Sequence, residues 1–520
     1  MHQRTPKLLL AFALVIAALA PSVMQAKDAK DAKAADKSDS AKDQAGSSSK
    51  DDDFKLPPFP EDRTVHQSMQ LGGRLFKYDV TVGSLPVFDE KGKTIASVMF
   101  TAYTVPGGNR PVTFALNGGP GASSVYLNLG ALGPKRLQFG AAGNSPSDPP
   151  TLTDNAGTWL DFTDLVFIDP VGTGFSYAQV KEDEAKKRFY NPTADVEYLS
   201  RIIFDWLVKN ERLTSRKYLV GESYGGFRAP RMTHFLQTQM GVAINGMVLV
   251  SPYLNPGASG NGDLSPLPWM LTLPTIAAAN LERHGKLNDA TMADIIAYTR
   301  TDYVTDLLKG RSDPQAIDRI VKRVSELSGL DPVFVRRAGG RLETQAYLRE
   351  VFRAEGKLGS RYDSNVTGWD PFPFSPDQRT NDPVLDGIIA PTTEAMVDFI
   401  THTVGWKYAA RYNALSYEVN KAWPGNDGSG DDITLGGRGS VEELRQSVAI
   451  DSKLNVLIAH GWGDLSCPFM ASVLIVDQMP IMGDPLRVQV KEYPGGHMFY
   501  SRADSQIALH GDAMKVYATH

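Results

Sequence analysis

Six short apolar runs recur along this sequence, each bounded by glycine or polar residues. They read VTFALN, DLVFID, KYLVGES, GMVLVS, NVLIAHG and RVQVKEY. Continuous apolar runs of this length are typical of parallel strands covered on both faces, because neither face then needs polar side chains. Segments with helical spacing, such as TADVEYLSRIIFDWLVKN and GFRAPRMTHFLQTQM, lie between some of these runs. The pattern predicts an α/β fold with a mostly parallel central sheet covered by helices.

The alternation stops between about Gly257 and Leu435. Amphipathic helical pieces such as DATMADIIAYTR and DPQAIDRIVKRVSEL precede the irregular WDPFPFSPDQRTNDP, and no series of buried strands occurs there. We interpret residues 257–435 as a mostly helical cap inserted into a sheet domain, whose two parts are then residues 56–256 and 436–520. The strand-like FKYDVTVG and TIASVMFTAYTV predict an antiparallel hairpin where the sheet begins.

The N-terminal residues predict export. MHQRTPK is positively charged, LLLAFALVIAALA is apolar, and PSVMQA ends in a small residue, which together are typical of a secretory signal over residues 1–26. A membrane anchor is the alternative, but Leu8–Ala20 is short for a span of about 20 residues, so we expect no stable span after processing. Residues 27–55 are rich in Lys, Asp, Ala and Ser and predict a disordered polar linker.

Composition narrows the function classes. The hydrophobic fraction of 42% and charged fraction of 22% are those of a globular protein. A net charge of -5 over 520 residues provides no basic surface for nucleic acid. The single cysteine, Cys467, cannot form an internal disulfide. Export without disulfides favours a periplasmic or secreted bacterial protein, and the sequence predicts no particular oligomeric state.

The segment KYLVGESYGGFRAP contains the pattern G-x-S-x-G between a predicted strand and a predicted helix. Ser223 would then lie on a sharp turn, and the glycines on either side would permit the strained backbone and leave the hydroxyl exposed at the end of the sheet. An ordinary turn is the alternative. The strand before the motif and the helix after it favour a nucleophile.

A serine hydroxyl becomes a good nucleophile only when a base removes its proton and an acid holds that base in the right tautomer. In this architecture the chain order is serine, acid, histidine, with the partners on loops after later strands. NVLIAHGWGDLSCP places Asp464 after one buried run, and RVQVKEYPGGHMFY places His497 after the next. Either residue alone could be an ordinary loop residue. Their order and positions together predict a catalytic triad.

An oxyanion hole needs two backbone N–H groups directed at the developing charge. We expect one from Tyr224, which follows the nucleophile, and one from Gly119 in the glycine-rich loop of FALNGGPGASS. A plain turn or a phosphate cradle are alternatives, but neither the Lys-Ser/Thr ending of a P-loop nor GxGxxG occurs there. The nine histidines are scattered and H-E-x-x-H is absent, so we expect no metal and no cofactor.

Five segments resemble, in order, the signature segments of the serine carboxypeptidases: LNGGPGASS, TWLDFTDLVFIDPVGTGFSYA, LVGESYGG, HGWGDLSCP and GGHM. The resemblance covers roughly residues 76–254 and 441–500. It implies a secreted α/β-hydrolase of the carboxypeptidase Y-like type, which removes C-terminal residues from peptides with a free C-terminus; with the signal and the single cysteine, we expect a bacterial exported member. It further implies acidic working conditions, and binding of the substrate carboxylate by Asn117, Gly118 and Glu222.

Such a role for Glu222 requires a proton. Two ionised carboxyl groups would repel one another, so Glu222 must be neutral and donate a hydrogen bond to the substrate carboxylate. Substrate binding is then expected to weaken as the pH rises. The alternative is that Glu222 only bonds to neighbouring backbone.

The sequence departs from the family pattern at several positions. Ala115, Ala122 and Ala131 replace the usual Trp, Cys and Glu, and GFRAP places Phe227 and Arg228 after the elbow. Cys467, three residues after Asp464, either lines the site or packs in the core. Asn117 and Glu222 favour a carboxypeptidase, whereas the alanines at 115 and 131 favour an esterase or acyltransferase that uses the same triad. A noncatalytic binding protein of the same fold is a further alternative.

Overall fold

The computed structural model describes residues 56–138, 146–255, 264–375, 382–424 and 439–518. The predicted signal and linker, residues 1–55, lie outside the described residues. Contacts join the remainder into one unit, Leu56–His520. Within the described part of the chain, no helix is long and apolar enough to cross a membrane.

The described strands, in chain order, are β1 (Arg63–Leu71), β2 (Arg74–Phe88), β3 (Thr94–Thr104), β4 (Val112–Leu116), β5 (Lys135–Leu137), β6 (Leu152–Asp154), β7 (Asp164–Ile168), β8 (Tyr177–Ala178), β9 (Lys217–Glu222), β10 (Gly246–Val250), β11 (Lys357–Gly359), β12 (Thr367–Trp369), β13 (Asn455–Gly461) and β14 (Val488–Tyr493).

The described α-helices are α1 (Val125–Leu127), α2 (Glu182–Phe189), α3 (Pro192–Lys209), α4 (Tyr224–Gln239), α5 (Leu267–Arg283), α6 (Asp289–Tyr298), α7 (Val304–Lys309), α8 (Pro314–Ser328), α9 (Pro332–Ala338), α10 (Thr344–Glu350), α11 (Pro383–Asp398), α12 (Tyr417–Ala422), α13 (Val441–Ile450), α14 (Phe469–Asp477) and α15 (Ala503–Ala518).

The central sheet has the order β1-β2-β3-β7-β4-β9-β10-β13-β14, and β8 pairs with β3. Neighbouring strands in the part β1-β2-β3-β7 are antiparallel. Neighbouring strands in the part β7-β4-β9-β10-β13-β14 are parallel. The six apolar runs form these six parallel strands. The predicted α/β-hydrolase architecture is therefore confirmed.

Side chains alternate between two hydrophobic clusters, one on each face of the sheet. In β9 and β10, Val220 and Val248 belong to one cluster, while Leu219 and Leu249 belong to the other. Strands β4, β7, β9 and β10 are buried along their whole length. Burial on both faces is the reason that these runs are continuously apolar.

The edge strand β1 was not predicted from the sequence. Its residues RTVHQSMQL are mostly exposed or half-buried, since only Met69 is buried. An edge strand with one solvated face has no continuous apolar run, and polar side chains at an edge discourage pairing with another chain.

The segment between β10 and β13 is mostly helical and consists of two parts. Helices α5 to α10 surround a hydrophobic cluster of their own, which also takes in Trp462 and Phe469 from the region after β13. Helix α11 instead contributes Ile388 and Met396 to the cluster on one face of the central sheet. The predicted cap boundaries remain a prediction, but the second part of this segment packs directly on the sheet.

Candidate active site

Four loops that carry the predicted site residues follow parallel strands. Asn117 follows β4, Ser223 follows β9, Asp464 lies just beyond β13, and His497 lies just beyond β14. Because the carboxyl ends of parallel strands meet at one edge of a sheet, these loops converge there, which is where ligands bind in open α/β sheets.

Ser223 is the turn between β9 and α4, with φ 58° and ψ −121°. A non-glycine residue with positive φ is strained, so neighbouring bonds must hold it in place. Its N–H donates to the carbonyl of Val250 (3.0 Å), and its carbonyl accepts the N–H groups of Gly226 (2.8 Å) and Tyr253 (3.0 Å). A Cβ at Gly221 would collide with the carbonyl of Gly225. The elbow therefore requires the glycine that begins the motif.

Asp464 and His497 form a buried hydrogen-bonded pair. Nδ1 of His497 lies 2.8 Å from Oδ2 of Asp464, and the other carboxylate oxygen accepts the backbone N–H groups of Ser466 (2.8 Å) and Cys467 (2.9 Å). Burial by itself lowers the pKa of His497, but the adjacent carboxylate outweighs it and holds the pKa well above its ordinary value. The pair thus stabilises the imidazolium that forms when a histidine takes a proton from a nucleophile.

Two further residues, which the sequence did not indicate, fix the loop of His497. The backbone N–H of His497 donates to the carbonyl of Tyr362, whose ring lies edge-on to the imidazole with centroids 5.3 Å apart. Oγ of Ser251 donates to the carbonyl of His497 at 2.8 Å. Tyr362 belongs to the helical segment between β10 and β13, so that segment helps to hold the histidine.

Ser223 and His497 line one cavity of about 180 Å³ together with Asn117, Gly118 and Glu222. Gly119 also lines it. The opposite wall is largely apolar and comes from the segment between β10 and β13, through Leu385, Ile388, Leu415 and Tyr417. The cavity therefore has a polar end at the sheet and an apolar side.

The predicted oxyanion donors lie where the glycine-rich loop touches the elbow. A Cβ at Gly118 would lie 2.5 Å from the backbone nitrogen of Tyr224, so only glycine permits this approach. Gly119 has φ 99°, in the region that favours glycine. The side chain of Tyr224 is buried against Phe227 and Trp423.

Asn117 and Glu222 are hydrogen-bonded to each other. Oδ1 of Asn117 accepts the N–H of Leu127 (2.9 Å), which orients the amide so that Nδ2 donates to Oε2 of Glu222. Oε1 of Glu222 accepts the hydroxyl of Tyr500 at 2.9 Å. Burial raises the pKa of Glu222 to about 7, against the opposing effects of His497, Tyr500 and Asn117. Below that pH, Glu222 carries a proton that it can donate.

Arg228, whose role the sequence left open, forms a buried ion pair with Asp195 of α3. Nε donates to Oδ2 of Asp195 (2.6 Å) and a terminal nitrogen donates to Oδ1 (3.3 Å). The other terminal nitrogen donates to the carbonyl of Asn117 at 2.8 Å. Arg228 thus connects the helix after the elbow to the loop that carries Asn117 and the predicted oxyanion glycine.

The alanines at 115 and 131 are buried in the cluster on one face of the sheet and do not line the cavity, whereas Ala122 does. Cys467 is buried and lines a second cavity of about 280 Å³ with Trp269 and Leu465. Cys467 is therefore a buried residue that borders this second cavity.

The donor atoms of Asp464, Cys467 and His497 lie within 4.8 Å of one another, and within the described residues they are the one group close enough to hold a metal. Burial raises the pKa of the Cys467 thiol, which disfavours the thiolate that a metal needs. Asp464 and His497 are also bonded to each other. The arrangement fits an acid–base pair better than a metal site.

Comparison with known proteins agrees with this geometry. Residues 83–316 match the family model described as serine carboxypeptidase. This segment is therefore similar to the serine carboxypeptidases. It contains the glycine-rich loop and the elbow, whereas Asp464 and His497 lie beyond it.

Relatives match parts of the chain. Serine carboxypeptidase-like 36 of Arabidopsis thaliana is 29% identical over 206 residues, which are 38% of this chain and 39% of the relative. The pheromone-processing carboxypeptidase kex1 of Aspergillus niger is 36% identical over 152 residues, 29% of this chain and 22% of the relative. The chain thus matches less than half the length of each of these relatives.

The crystal structure of Kex1(Δ)P, a prohormone-processing carboxypeptidase of Saccharomyces cerevisiae, superposes with a TM-score of 0.52 at 15% identity. The superposition covers 85% of this chain and 91% of that one. At this identity the likeness shows the shared fold.

Proposed function

We propose that this protein is a serine carboxypeptidase that releases the C-terminal residue of peptides with a free C-terminus. The observation that carries the proposal is Glu222, a buried carboxyl group with a raised pKa in the same cavity as Ser223 and His497. A neutral carboxyl group can donate a hydrogen bond to a terminal carboxylate, whereas an ionised one would repel it. Asn117 and Gly118 lie beside it to complete this end of the cavity.

The geometry supports a two-step reaction. His497 takes the proton of the Ser223 hydroxyl, whose oxygen attacks the last peptide carbonyl, while the N–H groups of Gly119 and Tyr224 receive the oxyanion. The imidazolium then gives its proton to the leaving amine, and the terminal amino acid departs from an acyl-serine. Water, deprotonated by His497, attacks the acyl carbon and releases the shortened peptide. Asp464 stabilises the imidazolium in both steps.

The apolar wall of the cavity supports a preference for apolar C-terminal side chains. Leu385 and Ile388 project from α11 into the cavity whose other end holds Glu222. A terminal residue with its carboxylate at Glu222 would bury its side chain against this wall. A series of N-blocked dipeptides ending in Leu, Ser, Asp and Lys tests this, with the largest kcat/KM expected for Leu.

The main test compares an N-blocked dipeptide acid with its C-terminal amide from about pH 4 to 8, a range that brackets a raised carboxyl pKa. We expect release of the terminal residue to be faster from the acid, most so at low pH, and to be lost in Ser223→Ala. Equal rates for acid and amide at every pH would contradict recognition of the terminal carboxylate by Glu222.

An esterase or acyltransferase is the second candidate. It is favoured by Ala131, because the side chain at this position provides no acid to the network around Glu222. Ser223-dependent cleavage of a blocked amino acid ester, without turnover of any peptide acid, would support this candidate instead.

We also propose export of a bacterial protein to the periplasm or medium, from the signal-like residues 1–26 and the single cysteine. N-terminal sequencing of the protein from a periplasmic fraction should identify Lys27 as the first residue if the predicted signal is removed.

A further inference from the structure

Tyr500 is a buried side chain that contacts the carboxyl group of Glu222. It lies in the short helical turn Phe499–Ser501, three residues after His497, and its hydroxyl donates to Oε1 of Glu222 at 2.9 Å. The phenol is fully buried in the cluster that covers one face of the sheet. The helical turn Asn128–Leu132 packs against this turn and carries Ala131, which has no side-chain donor.

The other groups around Glu222 are fixed by independent bonds. Asn117 donates to Oε2, and its amide cannot flip because Oδ1 accepts the N–H of Leu127. Four titratable groups face Glu222. His497 and Asp464 come from the loops after β14 and β13, Tyr126 comes from α1, and Tyr500 comes from the turn after His497. Of these, Tyr500 donates its hydroxyl directly to Oε1 of Glu222.

A hydroxyl that donates to a carboxyl group stabilises its ionised form more than its neutral form, because a bond to an ionised acceptor is roughly twice as strong. The hydroxyl of Tyr500 therefore opposes the effect of burial, which favours the neutral form. Asn117 acts in the same direction from the other oxygen. The bond to Tyr500 is thus expected to lower the pH at which Glu222 loses its proton.

We propose that Tyr500 is a specificity-determining residue that acts through Glu222 and sets the pH above which the cavity no longer binds a terminal carboxylate. This inference rests on the proposed function, since it concerns the site at which that function would recognise its substrate. Tyr500 does not touch the reacting atoms, so the hydroxyl should affect KM and leave kcat unchanged.

The test is Tyr500→Phe, which removes one buried oxygen and keeps the ring. For an N-blocked dipeptide acid, we expect the alkaline limb of kcat/KM to move upward by roughly half to one pH unit. Above that limb, the KM of the variant should be about three- to tenfold lower than that of the parent, with equal kcat. If the alkaline limb of kcat/KM stays at the same pH or moves to lower pH, the proposal is overturned.

Two controls separate the hydroxyl from general effects. Tyr103→Phe removes another hydroxyl from the same buried cluster, where the ring of Tyr103 packs against Tyr78 and Phe167, and should leave the alkaline limb in place. Glu222→Gln with Tyr500→Phe should show the same pH profile as Glu222→Gln alone. A shift that persists without Glu222 would contradict the proposed route. Melting temperatures of the two Phe variants establish that both are folded.

An infrared titration makes the inference independent of turnover. The carbonyl band of protonated Glu222, assigned by its loss in Glu222→Gln, should persist to higher pH in Tyr500→Phe than in the parent. If the parent shows no preference for a peptide acid, the proposed function fails, yet this band still tests the effect of Tyr500. If the preference is present and the band is unmoved, the inference about Tyr500 fails alone.

Discussion

Two buried carboxyl groups near one cavity have contrasting surroundings: Glu222 lines the cavity, whereas Asp464 is bonded to His497, which lines it. At the catalytic side, formed by Ser223, His497 and Asp464, the acid accepts two backbone N–H groups and an imidazole. At the carboxylate side, formed by Asn117, Gly118 and Glu222, the acid accepts only neutral side-chain donors, and burial raises its pKa to about 7. Donor number and charge, rather than depth of burial, distinguish the two acids.

This difference indicates that the catalytic side and the carboxylate side have different roles in the reaction. A group that stabilises charge formed during the reaction changes kcat, whereas a group that holds the unreacted terminus changes KM. The catalytic side provides the base and its counter-charge, and the carboxylate side provides donors to a group that does not react. Substitutions at the two ends should therefore separate kcat from KM.

The largest effect is expected from Ser223→Ala. Without the nucleophile no acyl-enzyme can form, and kcat should fall by roughly 10⁴- to 10⁶-fold. The carboxylate side is untouched, so the Kd for a nonhydrolysable peptide acid should stay within about threefold of the parent. Amino acid release and equilibrium binding measure the two quantities. Substantial turnover by Ser223→Ala would remove Ser223 from the proposed mechanism.

Asp464→Asn should come next, with kcat lower by roughly 10³- to 10⁴-fold, because an amide neither stabilises the imidazolium nor fixes the same tautomer. KM for the peptide acid should change little. Asp484→Asn is a matched control, since Asp484 also accepts a backbone N–H in an exposed loop, from Leu486 at 2.8 Å. A large rise in KM with unchanged kcat would mean that Asp464 serves binding rather than catalysis.

Glu222→Gln should give a smaller effect that depends on pH. The folded pKa is raised to about 7, so the proton needed for binding is present below that value and lost above it. KM of the parent should rise about tenfold per pH unit above pH 7. The glutamine cannot ionise, so its KM should be flat across the range. Loss of binding by Glu222→Gln at low pH would contradict the role of a neutral donor.

The parts of this molecule that sequence could predict are those with local signals. Five of the six parallel strands are largely apolar runs, whereas β14, VQVKEY, is a half-buried edge strand. The predicted sheet is confirmed. The loop positions of Ser223, Asp464 and His497 follow from strand ends, although their roles remain predictions. The structure places Ser223 and His497 in the lining of one cavity, and Asp464 is bonded to His497.

What sequence did not indicate depends on contacts between distant segments. Tyr500 and Glu222 are 278 residues apart, and a tyrosine that follows Met498 and Phe499 has no pattern that predicts a buried acid as its partner. Tyr362 contacts His497 from the helical segment, whose amphipathic helices predict packing but not which loop they reach. Arg228 resembles any helical arginine until α3 brings Asp195 beside it.

The smallest effect on turnover is expected at the buried ion pair of Arg228 and Asp195, because Arg228 also bonds to the loop of Asn117. Removing one partner leaves a buried charge unpaired, so Arg228→Met alone should lower the free energy of unfolding by roughly 3–5 kcal/mol. Arg228→Met with Asp195→Leu removes both charges and should recover most of that stability.

The double variant still lacks the donor to the carbonyl of Asn117, so the oxyanion loop is held less firmly. We expect kcat about tenfold lower with a stable fold, since a misplaced oxyanion donor costs transition-state stabilisation. Urea unfolding and steady-state kinetics on one preparation separate the two effects. If kcat recovers together with stability, the pair supports only the fold, and the two sides of the cavity are positioned independently of Arg228.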